Sequence, residues 1–375
     1  MPPFRGLTWD HPRGYDALAA AGGALLQWDR QPLEGFESHP IEDLCARYDI
    51  VVLDHPHIGE AVMAGCLRPL EELFTTGEIA AWQAATVGSC LASYRYAGRH
   101  WALPLDAAAQ VMATRPDRLA GPPPATWDAV IALSAGGAVA LSVAGPHAAV
   151  SLFSIAAALG EAPGSRDPER LLSVATATQA LEILSVLYRR MPAAAKPLNP
   201  IGLLDLMASD DAVALCPLVF GYVPYAVPKA PVSHPIVFRD APAATPAGAP
   251  GTTLGGTGLA VSRRCTPTPA LLSHLRWLLS ADTQRGFIVA HNGQPSRREA
   301  WTDTSVNRRW GNFYRNTARS IEAAWVRPRY PGYIAFQSRA SAALREALES
   351  RAPPAATIAA LQDLYAHSRT PAAEL

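Results

Sequence analysis

Hydrophobic residues at the start of this chain fall into short runs that end on a polar residue and a proline. Phe4 to Trp9 stops at Asp10-His11-Pro12, and Ile50 to Leu53 stops at Asp54-His55-Pro56. A third run, Ala24 to Trp28, ends in Asp29-Arg30-Gln31-Pro32. Runs this short, closed where proline removes a backbone donor, predict buried strands that end abruptly. Helical stretches separate them, around Tyr15 to Ala21, Ile41 to Ala46 and His57 to Ala64. Strand–helix alternation over the opening 110 residues predicts parallel βαβ units with right-handed crossovers. In open sheets of this kind, ligands bind beyond the carboxyl ends of the strands, where strand order reverses. The repeated Asp-His pair would then point at one crevice.

Further along, Trp101 to Asp106 reads as a short strand interrupted by proline, and Ala107 to Thr114 as another. Pro116 to Pro124 is punctuation, a crossover between lobes. Thr126 is placed to cap a helix running to Leu133. Val139 to Val143, Val213 to Phe220 and Leu254 to Val261 read as strands. His147 to Leu159, Leu171 to Arg189, Leu203 to Ala208, Thr268 to Leu279, Ser338 to Glu349 and Ala355 to Ala366 read as helices. No repeat occurs at a solenoid period.

The length of 375 residues exceeds one average core and predicts two domains. With 49% apolar and 17% charged residues the composition is globular. Zero formal net charge and a pI near 7.2 provide no field to draw nucleic acid or anionic lipid, so neither is an expected partner. Arg297, Arg298, Arg308, Arg309, Arg315 and Arg319 gather locally, and their spacing reads as a solvated helix face. The five cysteines show no C-x-x-C pair or Cys/His cluster, so no metal and no cofactor is expected. No apolar stretch reaches transmembrane length. Met1-Pro2-Pro3 leads into the first strand without the parts of an export signal. A cytoplasmic location is the expectation for the chain as written, and a periplasmic one if a leader precedes it.

Several segments, in order, resemble the family 1 extracellular solute-binding proteins, the sugar-binding subunits of ABC importers. They are Tyr48-Asp-Ile-Val-Val52, Gly65 to Leu73, Trp101-Ala-Leu-Pro-Leu-Asp106 and Pro124-Ala-Thr-Trp-Asp128. Val213-Ala-Leu-Cys-Pro217, Gly255 to Ser262, Leu271 to Gln284 and Gln294-Pro-Ser-Arg297 complete the series. The resemblance covers most of the chain and rests on order and spacing rather than on one motif. It implies a two-lobed α/β architecture, the type II periplasmic-binding-protein fold, with hinge crossovers and C-terminal helices. Lobe 1 would comprise 1–110 and 255–310, and lobe 2 would comprise 111–254 and 311–375. It further implies a small polar ligand, a carbohydrate or a hydroxy or sugar acid, held in an interlobe cleft by hinge closure. An ABC permease is the implied protein partner.

The candidate ligand residues each carry two readings. Trp9, Asp10, His11 and Arg13 follow the first strand: Asp10 accepts hydroxyl hydrogen bonds or caps the next helix, and Arg13 grips a carboxylate or phosphate or pairs with a neighbouring acid. Asp54, His55 and His57 end the third strand, where Asp54 is a ligand group or an N-cap and the histidines are hydrogen-bonding groups rather than metal ligands. Asp106 touches ligand or fixes the hinge. His147 follows Gly145-Pro146 at a helix start, or is a surface histidine. Tyr222 and Tyr225 stack on a ring or fill space beside Pro224. Gly256 and Thr257 lie in a glycine-rich segment that lacks the Lys-Ser/Thr of a nucleotide loop, so close backbone approach is expected there. Arg297 lines the cleft by resemblance. Arg329, Tyr330 and Tyr333 form a second basic-aromatic patch without an assigned place. The same groups would serve a cytosolic lyase, hydrolase or transferase, with a histidine as base, an aspartate as orienter and Cys216 as a conceivable nucleophile.

Overall fold

The computed structural model describes residues 3–227 and 233–369. The principal strands are β1 (Phe4–Trp9), β2 (Leu26–Gln31), β3 (Ile50–Leu53), β4 (Leu103–Thr114), β5 (Leu215–Phe220), β6 (Val237–Arg239) and β7 (Leu254–Val261). The chain divides into two compact units. Unit 1 is Met1–Ala108, Leu254–Arg315 and Val326–Pro331; unit 2 is Ala109–Thr253, Asn316–Trp325 and Gly332–Leu375.

In unit 1 the strand order is β2-β1-β3-β7, with the first half of β4 beyond β7. β1 runs parallel to β2 and to β3, as the alternating pattern predicts. β7 arrives from much later in the chain and pairs antiparallel to β3, with Leu53 opposite Gly258. All four residues of β3 are buried, because both faces of the sheet are covered. Ile50 and Val52 join Trp9, Leu26, Leu259, Leu271 and Leu275 on one face. Val51 and Leu53 join Leu7, Leu44, Cys45, Ile58 and Ala260 on the other.

In unit 2, β4 from Ala109 onward pairs antiparallel with β5, Gln110 opposite Phe220, and with β6, Met112 opposite Arg239. The pairing with β5 shifts register between Val111 and Ala113. Helices His147–Ala158, Val174–Arg190, Tyr333–Ser350 and Pro354–Arg369 build its core. Phe153 stacks on Phe336 and meets Trp325 edge-on.

Several elements differ from the sequence expectation. β4 is one continuous buried strand, since Pro104 sits at its second position, where a missing donor is tolerated. β2 lies further along than Ala24 to Trp28, because its polar end Asp29-Arg30-Gln31 pairs with the end of β1. Val139 to Val143 makes only an isolated bridge, Val139 to Leu215. Residues 298–323 form four short helices too brief for a periodic signal. Arg298, Arg308, Arg309, Arg315 and Arg319 on them are exposed, as a solvated face requires. Residues 311–315 and 326–331, read from the sequence with the second lobe, group with unit 1. Arg327 accounts for the second of these, through its bonds to Asp54 and His55.

Candidate functional site

At the end of β1, Trp9 is buried against Phe36, with ring centroids 5.3 Å apart. The following helix, Pro12–Gly22, comes so close that a Cβ on Gly14 would lie 2.4 Å from the Trp9 ring. His11, not Asp10, caps this helix: its Nδ1 accepts the Arg13 backbone N–H at 3.1 Å. Asp10 is left outside, and its carboxylate pairs with Arg30 at 3.0 Å where both side chains are 54% exposed. Arg13 turns inward instead. Its Nε and Nη2 donate to the two Asp106 oxygens at 3.0 and 2.5 Å, a buried bidentate pair. Burial pushes the Asp106 carboxyl up, while Arg13 and the Gln294 backbone pull it back. Of the two readings for Arg13, pairing with an acid is the one its geometry fits.

The end of β3 is built differently. Asp54 caps a short 3₁₀ turn, His55–His57, by accepting the His55 N–H at 2.8 Å, and it also pairs with Arg327. Burial pushes Asp54 up, but Arg327 and His55 outweigh it and hold the carboxyl well below its ordinary range. His55 is fully buried; its Nε2 accepts the Arg327 backbone N–H at 3.2 Å, and its Nδ1 lies 3.1 Å from Asp54. An Nε2 that accepts must be unprotonated, which fixes the neutral Nδ1–H tautomer. Burial drives the His55 pKa down to about 4 against the pull of Asp54. Burial likewise lowers His57, partly offset by Asp54 and Glu60. Tyr94 meets His55 edge-on at 6.4 Å and donates to the Leu53 carbonyl at 3.4 Å.

Gly256 has φ +86°, and a Cβ there would lie 2.3 Å from the Asp106 carbonyl. The glycine-rich segment is thus a close backbone crossing against β4. Thr257 precedes Gly258, the partner of Leu53, so it stands at the register position of Asp54.

Among the described residues, Trp9 Nε1, His57 Nδ1, Thr257 Oγ1 and Arg329 Nε are buried polar atoms on these elements without a hydrogen-bond partner. Buried polar atoms are nearly always paired, so unpaired ones on these neighbouring segments are a feature to explain. Together they offer donors, an acceptor and a hydroxyl. Arg329 also has no carboxylate partner among the described residues, and burial lowers its pKa. Its segment is pinned by Gly59, where a Cβ would lie 1.7 Å from the Arg329 carbonyl. The sequence flagged Arg329 without placing it, and Arg327 went unnoticed.

The remaining candidates lie on other elements. Arg297 donates to the Leu279 carbonyl at 3.3 Å and to Glu299 at 3.2 Å. In unit 2, His147 is 2% exposed and edge-on to Phe220 at 6.0 Å, which corrects the surface reading. Tyr222 is buried, and Tyr225 donates to Asp205 at 2.6 Å. Among the described residues no group of His, Cys, Asp or Glu is arranged to hold a metal ion. Nor is any helix there long and apolar enough to cross a membrane.

No protein-family model matches the chain, and no curated protein does either. Solved structures do. An ABC-transporter solute-binding protein from Agrobacterium radiobacter K84, in complex with ribitol, superposes with a TM-score of 0.80 at 19% identity, over 97% of this chain and 98% of the other. Maltose-bound MalE3 of T. maritima gives 0.82 at 16% identity, again over 97% and 98%. UgpB of Mycobacterium tuberculosis, in complex with glycerophosphocholine, gives 0.76 at 16% identity over 98% of both chains. The chain therefore has the α/β fold of ABC-transporter solute-binding proteins.

Proposed function

We propose that the chain is a solute-binding protein that captures a small polar ligand, a carbohydrate, polyol or sugar acid, and delivers it to an ABC permease. The observation that carries this reading is the set of buried donors and acceptors, unpartnered among the described residues, on the segments at and after the ends of β1 and β3, on β7 and at Arg329. They occur in a fold whose neighbours were crystallised with ribitol, maltose and glycerophosphocholine. A hydroxylated ligand pairs with donors and acceptors alike, which suits a mixed set better than an apolar ligand would. Arg329, a half-buried guanidinium without an acid among the described residues, favours a ligand with a carboxylate or phosphate.

Two of the parts named for a catalytic reading are unsuited to it. His55 has no free lone pair for a general base, since Nε2 already accepts from Arg327. The Cys216 thiol is fully buried and pushed up to about 12, and a thiol is a nucleophile only once ionised.

Thermal unfolding of the full chain against ribitol, maltose, gluconate and glycerol 3-phosphate tests the proposal. A solute present at about a thousand times its Kd adds about 4 kcal/mol, a shift of several degrees. Arg329→Ala is expected to remove the response to the acids and to spare any response to neutral polyols. No stabilisation by any sugar, polyol or acid would overturn the assignment.

A further inference from the structure

The segment that carries Arg329 runs along the turn after β3, within unit 1. The Arg327 backbone N–H donates to His55 Nε2 at 3.2 Å, and its guanidinium pairs with Asp54. Two residues on, the Arg329 carbonyl packs onto Gly59, where a Cβ would lie 1.7 Å away. The charges held here can be counted. Arg327 is 5% exposed, and the Asp54 carboxylate neutralises it. His55 is neutral, because an Nε2 that accepts carries no proton. His57 is buried, which disfavours its charged form, and Glu60 acts on His57 but not on Arg329. Arg329 has a buried Nε without a partner and no acid among the described residues. Two guanidiniums against one carboxylate leave one positive charge.

That count sets a limit on the solute. A single anionic charge, with hydroxyls for the neutral donors and acceptors, completes the set. A second anionic charge would leave water with no cation to meet it, and it would face the Asp54 carboxylate. Burying an unpaired charge and juxtaposing like charges both cost affinity. Asp54 therefore does more than cap a turn. By occupying Arg327 it removes the second cation that a dianion needs.

We propose that the site selects singly charged anions, a sugar carboxylate or a phosphodiester, over phosphomonoester dianions, and that Asp54 sets this choice. The proposal rests on the solute-binding reading above and adds the charge of the solute. A phosphomonoester carries its own probe, since its second pKa is about 6. Between pH 5.5 and pH 7.5 it passes from mostly monoanion to almost wholly dianion, whereas a carboxylate or a phosphodiester stays singly charged. The protein's charges hold across that range. Both arginines stay protonated, and Asp54 stays ionised against the push of burial because Arg327 and His55 hold it low. Burial keeps His55 and His57 below their ordinary pKa. Glu60, Tyr94 and Tyr96 are the other ionisable groups acting on this turn and on Arg329.

Titration calorimetry of the full chain with ribitol, gluconate, glycerophosphoglycerol and glycerol 3-phosphate, at pH 5.5 and pH 7.5, tests the proposal. If the monoanion alone binds, the glycerol 3-phosphate Kd rises about 20-fold from the lower pH to the higher. The Kd of gluconate or of glycerophosphoglycerol, whichever binds, should change by under about 2-fold. D54N keeps a side-chain oxygen for the cap and releases Arg327 from its acid. Its Kd for glycerol 3-phosphate at pH 7.5 is expected to fall about 10-fold or more below the wild-type value. Should D54N not fold, the wild-type pH comparison decides alone. A glycerol 3-phosphate Kd that is equal at the two pH values, or tighter at pH 7.5, would overturn the charge selection and leave the solute-binding reading standing. Ribitol binding without any anion, or gluconate binding with glycerol 3-phosphate refused at pH 5.5, would do the same. A chain that binds none of the four solutes would remove both.

Discussion

The tripeptide Asp-His-Pro ends two adjacent parallel strands of unit 1, and the two copies are used in opposite ways. After β1 the histidine is the cap and the aspartate lies outside, in an exposed pair with Arg30. After β3 the aspartate is the cap and the histidine lies inside, fully buried under Arg327. The surroundings decide between these uses. β1 has the edge strand β2 on one side, and Arg30 at the exposed end of β2 reaches Asp10. β3 sits between β1 and β7, and the 326–331 segment closes over its end. Identical local chemistry therefore gives a surface ion pair at one tip and a buried polar network at the other.

That contrast has energetic consequences. Removing one partner of a buried ion pair leaves an uncompensated charge and costs about 3–5 kcal/mol, whereas exposed pairs are worth about 0–1 kcal/mol. Arg327 is 5% exposed and Asp54 19%, against 54% for both Arg30 and Asp10. Arg327→Ala is expected to lower unfolding free energy by about 3–5 kcal/mol in urea titration, and Arg30→Ala by under about 1 kcal/mol. Equal losses from the two variants would erase the distinction between the tips.

Acid should expose the same asymmetry. His55 has an ordinary pKa of 6.5 that the fold lowers to about 4, so between these values the unfolded chain binds the extra proton. The sign follows: stability falls as pH drops from about 6.5 toward about 4, by on the order of 3 kcal/mol from this group. Asp54, held low by Arg327 and His55, keeps its charge through that window and contributes its own loss only in stronger acid. Urea midpoints of the wild type and of His55→Gln, measured from pH 7 to pH 4.5, check this. The variant should show a flatter profile, and parallel profiles would mean that His55 is not the titrating group.

The sequence made the strand tips legible and left their partners illegible. The runs before Asp10 and Asp54 mark β1 and β3 because apolar runs with a proline stop are local signals, as is the cap at Thr126. Arg13 met Asp106 and Asp54 met Arg327 across 93 and 273 positions, and no local pattern announces such pairs. The sequence placed His147 at a helix start as a ligand residue or a surface histidine, and the helix it opens is apolar nearly all round and buried, which no local signal reports. Val139 to Val143 has strand composition but makes only a bridge, since β-propensity records burial as much as pairing. The run of arginines from Arg298 onward was readable for the opposite reason, since exposure needs no partner.

The smallest expected effect on folding belongs to Asp10→Ala, and that is what makes it the most discriminating variant for binding. With the Asp10 side chain over half exposed and paired, among the described residues, with Arg30, apo stability should change by no more than about 1 kcal/mol. His55→Ala cannot separate binding from folding in this way, because deleting a fully buried imidazole that accepts from Arg327 disturbs the apo protein as well. Against a solute that stabilises the wild type, Asp10→Ala is expected to keep the apo melting point and to lose part of the ligand-induced shift. A carboxylate at a strand end can trade its water-screened pair with Arg30 for ligand hydroxyls at little cost. An undiminished shift would remove Asp10 from ligand recognition and leave it with Arg30 alone.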